Sequence, residues 1–204
     1  MAGKCIMDDD VVCRASKDEI IRRYYQILKD KPNGKVDEDV VCKMELIMKQ
    51  AEVCVEDRSV VRAAKEKAEE TEAPACAIEL PNGKIVTGRT SALLGATSAA
   101  LLNALKAVRG LSEEIHVISP DVIEPLQGLK TNHFGSKNPR LHTDETLIAL
   151  SICAANDPIA KDMLDGLSAL KGSEAHSTVL LSQVDENVFK KLGINLTSEA
   201  VYHK

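Results

Sequence analysis

The sequence predicts an α/β protein in two parts, a helical segment over residues 1–72 and a layered α/β domain with a mixed sheet over residues 73–204. Three observations predict it. Apolar residues recur at three- and four-residue spacing up to about residue 72, which is the helical period. The period turns extended at Ala73-Pro74. Beyond that point hairpin, helix, strand, helices, strand, helix and strand alternate, as in layered α/β domains.

The helical segment reads as three helices. Ser16-Lys17-Asp18-Glu19 has the capping-box pattern, in which hydroxyl and carboxylate satisfy otherwise orphaned N–H groups. A helix is expected from there, with Ile20, Tyr24, Ile27 and Leu28 on one face. Lys31-Pro32-Asn33-Gly34 breaks it, because proline cannot continue the ladder and Asn-Gly accepts positive φ. A second helix starts at Asp37, with Val40, Met44, Ile47, Met48 and Ala51 as its stripe, and a third runs from Asp57 to Glu72 on Val60, Val61, Ala64 and Ala68. Small residues bury little area at ~0.8 kcal/mol per CH₂. The segment is therefore expected to lean on the following domain or on another chain.

In the second part, Ala75 to Leu80, Pro81-Asn82-Gly83 and Lys84 to Gly88 form a hairpin signal. Thr90 to Arg109 is apolar around much of its circumference, so a largely buried helix is expected, ended by Gly110 as its C-cap. Ile115-His116-Val117-Ile118 reads as a short buried strand. Ser119-Pro120-Asp121 places a cap, a first-turn proline and an acid on the dipole, a strong helix start. That helix is expected to end near Lys130. Thr143-Asp144-Glu145 opens the next, through Ala155, and Asp157-Pro158 another, with Met163, Leu164, Leu167 and Leu170 inward and Gly172 as stop. A strand from Ala175 to Leu181, a helix from Asp185 to Leu192 and a strand from Leu196 to Val201 complete the chain.

Composition narrows the function classes. Aromatic residues make up 2% with no Trp, too few for the stacking platforms that read single strands or RNA. A net charge of -5 argues against nucleic acid or an anionic membrane surface as partner. The N-terminus turns acidic at Asp8-Asp9-Asp10 before any apolar run develops, which is no secretory signal. No apolar run approaches the ~20 residues of a membrane span, so the expected location is the cytoplasm. Cys5, Cys13, Cys42, Cys54, Cys76 and Cys153 form no C-x-x-C pair and are expected to be buried thiols in a reducing compartment.

The element order of the second part is similar to that of the cytidine-deaminase-like fold. That family holds zinc with H-x-E and P-C-x-x-C at two helix starts, where this chain reads Arg89-Thr90-Ser91 and Ser119-Pro120-Asp121-Val122-Ile123. Neither site offers Cys or His, so no zinc is expected. A second resemblance reaches nearly the whole chain. Ile20-Ile21-Arg22-Arg23-Tyr24-Tyr25, Val86-Thr87-Gly88-Arg89-Thr90-Ser91, the run from Gly135 to Glu145, and Glu174-Ala175-His176-Ser177-Thr178 together resemble the C-terminal part of the uncharacterised bacterial family called domain of unknown function eighteen forty-six. The resemblance implies members about twice this length, with an upstream half carrying a glycine-rich, nucleotide-loop-like segment. No G-x-x-x-x-G-K-[ST] occurs here, so an ATP-linked role does not carry over to these residues. The peptidase label borne by some relatives finds no support in the sequence. The cofactor is left unknown.

Candidate site residues lie at three loop–helix or strand–helix junctions. The loop from Asn132 to Glu145 crowds two imidazoles, two cations and two carboxylates before a helix start, where free N–H groups favour an anion. Lys137, Asn138 and Arg140 are the expected ligand donors, the guanidinium able to grip phosphate or carboxylate bidentately. His142 and Asp144 are candidate catalytic groups. Equally, Asp144 and Glu145 could be first-turn acids beside a solvated loop. Arg89, Thr90 and Ser91 form a possible second anion cradle, or else a capped helix with a salt bridge. His176, a third candidate catalytic residue, and Ser177 head a strand; alone, such a histidine reads as a core or edge residue. The leading expectation is a binding or catalytic domain for a small anionic, possibly phosphorylated, molecule, with His142 or His176 as acid/base because imidazole titrates near neutrality. The rival expectation is a non-catalytic homo-oligomerisation module serving the upstream half.

Overall fold

The computed structural model describes residues 8–202. Met1 to Met7, with Cys5 and most of the N-terminus read above as no secretory signal, lie outside the described residues, as do His203 and Lys204.

The first helix, α1, spans Asp9–Asp30 and starts well before the expected Ser16. Asp8 accepts from Asp10 N and Val11 N and so caps it, with Asp9 and Asp10 on the dipole. Ser16 instead lies inside the helix and donates to Val12 O at 2.8 Å, the back-bonding open to a serine within a helix. The buried residues are Ile21 and Tyr25, one position on from the expected stripe, because the earlier start changes nothing in the period but the face is chosen by what lies beneath. In α2, Glu38–Gln50, Met44 and Met48 are buried as expected, while Val41 is buried in place of Val40, and Val40 and Ile47 are exposed. Helix α3, Ser59–Thr71, buries Val60, Val61 and Ala64 as expected.

The hairpin forms as expected: β1 is Ala75–Glu79 and β2 is Ile85–Arg89. Helix α4, Ala96–Val108, begins later than Thr90, because Ser91 Oγ accepts from Leu93 N and Leu94 N and holds a local turn against the helix. The segment Ile115 to Ile118 is not a strand. Val117 and Ile118 are buried in the main core without a ladder, and periodicity cannot tell such an apolar run from a strand. Ser119 then caps α5, Pro120–Gly128, and a single π turn, Leu129–His133, leads into the polar loop. Next come α6, Thr143–Ala154, α7, Pro158–Asp165, β3, Glu174–Ser177, α8, Gln183–Lys191, and β4, Asn195–Ser198. Both last strands are shorter than expected, since past Ser177 and Ser198 the chain turns away, with Leu180 N bonded to Val201 O at 2.8 Å.

The sheet has the order β2-β1-β3-β4. β1 is antiparallel to β2 and β3, while β3 and β4 are parallel, so the sheet is mixed, as expected. Its two faces serve different layers. Cys76, Ile78, Val86 and Ala175 enter the main core with α4 to α8. Ala77 packs on Val60 and Ala64 of α3, so the helical segment does lean on the sheet. Among the cysteines, Cys76 is buried and Cys153 partly so, but Cys13, Cys42 and Cys54 are exposed, against the expectation of buried thiols; each sits on an outer helix face or a loop rather than in a core stripe. Among the described residues no helix is long and apolar enough to cross a membrane.

Candidate functional site

The loop ahead of α6 is clasped from two sides. On one side Leu141 N donates to Leu93 O and Leu141 O accepts from Gly95 N, and Ser98 Oγ adds a bond to Leu141 O at 3.0 Å. Arg140 Nε reaches Ser91 O at 2.8 Å. Two of the three expected junctions are thereby joined, and the terminal nitrogens of Arg140 have no protein partner among the described residues. Asn138 Oδ1 accepts from Arg140 N, shaping the loop rather than facing a ligand. Lys137 is exposed and unpaired among the described residues.

On the other side stands α8. Asp185, near its first turn, is buried and holds the start of α6: its Oδ1 accepts from Thr143 N and Thr143 Oγ1, both at 2.9 Å. Its Oδ2 accepts from Ser182 Oγ at 2.7 Å and lies 3.0 Å from His142 Nδ1. Burial alone would raise this carboxyl, but the bonds from His142, Ser182 and Thr143 outweigh it and push it down to about 2. In return the hydrogen bond to Asp185 holds His142 above the usual imidazole range, against the opposing effect of burial. The imidazole is partly exposed, and its Nε2 has no partner among the described residues. Beneath the loop, nearly buried Lys130 donates to Glu145 Oε2 and to Arg140 O, both at 2.7 Å. Glu145 Oε2 also accepts His142 N at 2.8 Å.

The α6 start is thus already furnished with carboxylates, from Asp185, from Glu145 and from Asp144, whose Oδ1 accepts Glu145 N. An external anion here would meet side-chain cations and His142 rather than bare helix N–H groups. The chemistry the arrangement offers is a histidine oriented through Nδ1 by a buried carboxylate, which leaves Nε2 to exchange a proton with a bound molecule.

The remaining expected residues fall elsewhere. Arg89 ends β2, exposed and unpaired among the described residues, and Thr90 N is bonded to Pro74 O. Ser177 is buried, its Oγ on Val179 O. His176 lies on the opposite sheet face, beside Ala77 and Thr197. Its Nδ1 contacts Thr197 Oγ1 at 2.9 Å, its ring sits 4.8 Å from that of Tyr25, and its Nε2 is 3.6 Å from Glu199 Oε1. Burial holds it below the usual imidazole range. Arg58, also buried, bonds Thr197 Oγ1, Glu174 Oε2 and Asn195 O in the same cluster. His142 and His176 thus belong to two separate clusters that share no partner among the described residues.

Sequence reasoning missed Asp185, Ser182 and Lys130. The signal for the first two is Ser182-Gln183-Val184-Asp185, a hydroxyl three residues before an acid at a helix start. Lys130 carries no such signal, since it is set against Glu145 only by the π turn.

Comparison with known proteins places the chain. Residues 56–204 match the family described as Domain of unknown function DUF1846, C-terminal, and residues 1–52 match Domain of unknown function DUF1846, N-terminal. A UPF0371 protein of Streptococcus uberis is 52% identical over 202 residues, which is 99% of this chain and 41% of the relative. UPF0371 proteins of Streptococcus thermophilus and Streptococcus pneumoniae are similar at 52% and 51% identity, with the same coverage. The chain therefore spans about two-fifths of the length of the curated relatives it matches. With its C-terminal family region carrying the sheet, the His142 loop and α8, this chain belongs to the DUF1846 family.

Proposed function

We propose that the edge where the starts of α4, α6 and α8 meet binds a small anionic, possibly phosphorylated, molecule, with His142 as its proton donor or acceptor. The observation that carries the reading is the 3.0 Å contact from His142 Nδ1 to Asp185 Oδ2, which orients the ring and favours its charged form. An imidazolium, the free end of Arg140 and Lys137 together supply positive donors of the kind that recognise phosphate or carboxylate. Asp185 and Ser182 act as positioning residues. Ser182 Oγ caps α8 at Asp185 N, which is a structural task and no nucleophile's. The cytidine-deaminase-like order expected from the sequence counts Ile115 to Ile118 as a strand, and that segment forms none; no deaminase chemistry enters the proposal.

Isothermal calorimetry against inorganic phosphate, nucleotides, sugar phosphates and small carboxylates tests it. Heat is expected with at least one anion, and is expected to vanish in Arg140→Ala and to acquire a changed pH dependence in His142→Gln. Silence across the panel overturns the proposal. A second reading, a homo-oligomeric assembly module, is supported by the opening turns of α1, where Val11 is 63% exposed and Val12 40%. Light scattering decides that one: a strict monomer at micromolar concentration removes it.

A further inference from the structure

The sheet ends at β4, and its ladder with β3 decides which main-chain groups of β4 are used. Asn195 N donates to Ser173 O at 2.9 Å and Glu199 N to Ser177 O at 3.0 Å. In a parallel pair alternate residues turn both their N–H and C=O groups toward the neighbour. Asn195, Thr197 and Glu199 therefore face β3, while Leu196 and Ser198 present their main-chain groups outward. No partner takes up those groups among the described residues. Free strand edges are usually covered, because an unpaired row of donors and acceptors is a template for another strand.

Here a groove runs along the edge instead. It has a volume of about 580 Å³, with Ile194 to Ser198 in its lining and α1 and α8 as its walls. Lys29 of α1 and Glu186 of α8 join the two walls at 2.8 Å. Four cations, Arg22, Arg23, Lys29 and Lys190, stand against two carboxylates, Glu19 and Glu186, in a chain whose formal net charge is -5; Arg22 and Arg23 share Glu19 at 3.1 and 2.8 Å, so the α1 cations outnumber the carboxylate they pair with, and Lys190 has no ion pair among the described residues. Three of the cations stand on the α1 wall, which also carries Glu19, and Lys190 stands with Glu186 on the α8 wall. Arg22 and Arg23 lie on the α1 side, where Arg22 reaches Glu174 at 2.9 Å. Leu196 packs at the margin of the main core on the α8 side. None of the lining residues belongs to the His142 cluster.

We propose that this groove binds an extended peptide segment with acidic side chains on alternate positions, which pairs with the main chain of Leu196 and Ser198 and adds a fifth strand to the sheet. Main-chain bonds would supply affinity, and the alternation of side chains would supply selectivity, the division of labour of strand addition. Alternate carboxylates meet the α1 cations while the intervening apolar residues turn toward Leu196. The four residues of β4 offer about 13 Å of edge at ~3.3 Å per residue, enough for a short segment.

The test uses a fluorescein-labelled peptide of sequence Glu-Val-Glu-Val-Glu-Val, its Lys-Val counterpart, and a version of the acidic peptide N-methylated at alternate residues. Fluorescence anisotropy is expected to show binding of the acidic peptide alone. N-methylation is expected to weaken it about tenfold or more, because it removes donors to the edge. In the complex the Leu196 and Ser198 amides are expected to gain protection from hydrogen exchange. Arg23→Glu is expected to weaken binding, and so is Leu196→Pro, which removes an outward donor while leaving the β3 ladder intact. If Leu196→Pro does not fold, the N-methylated peptide makes the same test from the other side. The proposal is overturned by no binding up to ~1 mM peptide, by equal binding of the N-methylated version, or by binding without protection of Leu196 and Ser198. Protection that grows with protein concentration in the free protein also overturns it and assigns the edge to a second copy.

Discussion

Asp185→Asn separates the electrostatic role of this carboxylate from its shape. Asn keeps the volume and can still accept Thr143 N and Thr143 Oγ1 at Oδ1, but it carries no charge for His142 Nδ1, now 3.0 Å away. In the parent the carboxyl is depressed from its ordinary 3.8 to about 2, worth about 2 kcal/mol of ion-specific stabilisation at 1.36 kcal/mol per pH unit. A depressed carboxyl stabilises the fold above its unfolded value. That contribution is present at neutral pH and is lost as pH falls from about 4 through about 2. The substitution is therefore expected to lower Tm at neutral pH by about 4–8 °C, at ~2–4 °C per kcal/mol for a chain of this size, and to flatten the acid limb of the stability profile. His142 shifts the other way: its raised value stabilises below its unfolded 6.5 and is lost as pH rises through the folded value. Without Asp185 the His142 ring is expected to titrate at lower pH, read from its NMR ring signals. A Tm within ~1 °C of the parent together with an unmoved His142 titration would refute the reasoning.

Gly88→Ala is expected to be among the most damaging single-atom additions, since a Cβ there would lie 2.1 Å from Ala100 N. Prising β2 from α4 should cost about 3 kcal/mol or more, visible as a lowered urea midpoint or loss of soluble protein. Arg58→Ala strips a 1% exposed side chain from Glu174, Thr197 and Asn195. Glu174 keeps Arg22, so a loss of about 3 kcal/mol is expected, at the low end for breaking a buried pair, measured by urea unfolding at unchanged slope. Elemental analysis of protein purified without an affinity tag is expected to find no stoichiometric zinc. Among the described residues no group of three or more His, Cys, Asp or Glu could hold a metal ion, and zinc needs three or four ligands. One zinc per chain, lost in His142→Ala, would overturn that expectation and favour hydrolytic chemistry.

Local chemistry, which needs only near neighbours in the chain, was legible in the sequence. Ser119 and Asp157 cap the helices they precede, Gly110 and Gly193 take the positive φ of helix ends, and the hairpin pairs Ala75 with Arg89 through Glu79 with Ile85. Caps and turns satisfy backbone groups within a few residues, so their residue types announce them. His142 was legible too, as an imidazole at a helix start. Its partner was not, because Asp185 lies 43 residues away in the chain and reads by itself as an ordinary first-turn acid of α8. The tertiary structure alone decided which face α1 buries, that Val117 and Ile118 fill the core without joining the sheet, and that His176 points toward Arg58 and Glu199 while Ser177 beside it points away. The physical reason is common to all three. Periodicity marks a face or a buried run, but what a side chain meets depends on which distant element packs against it.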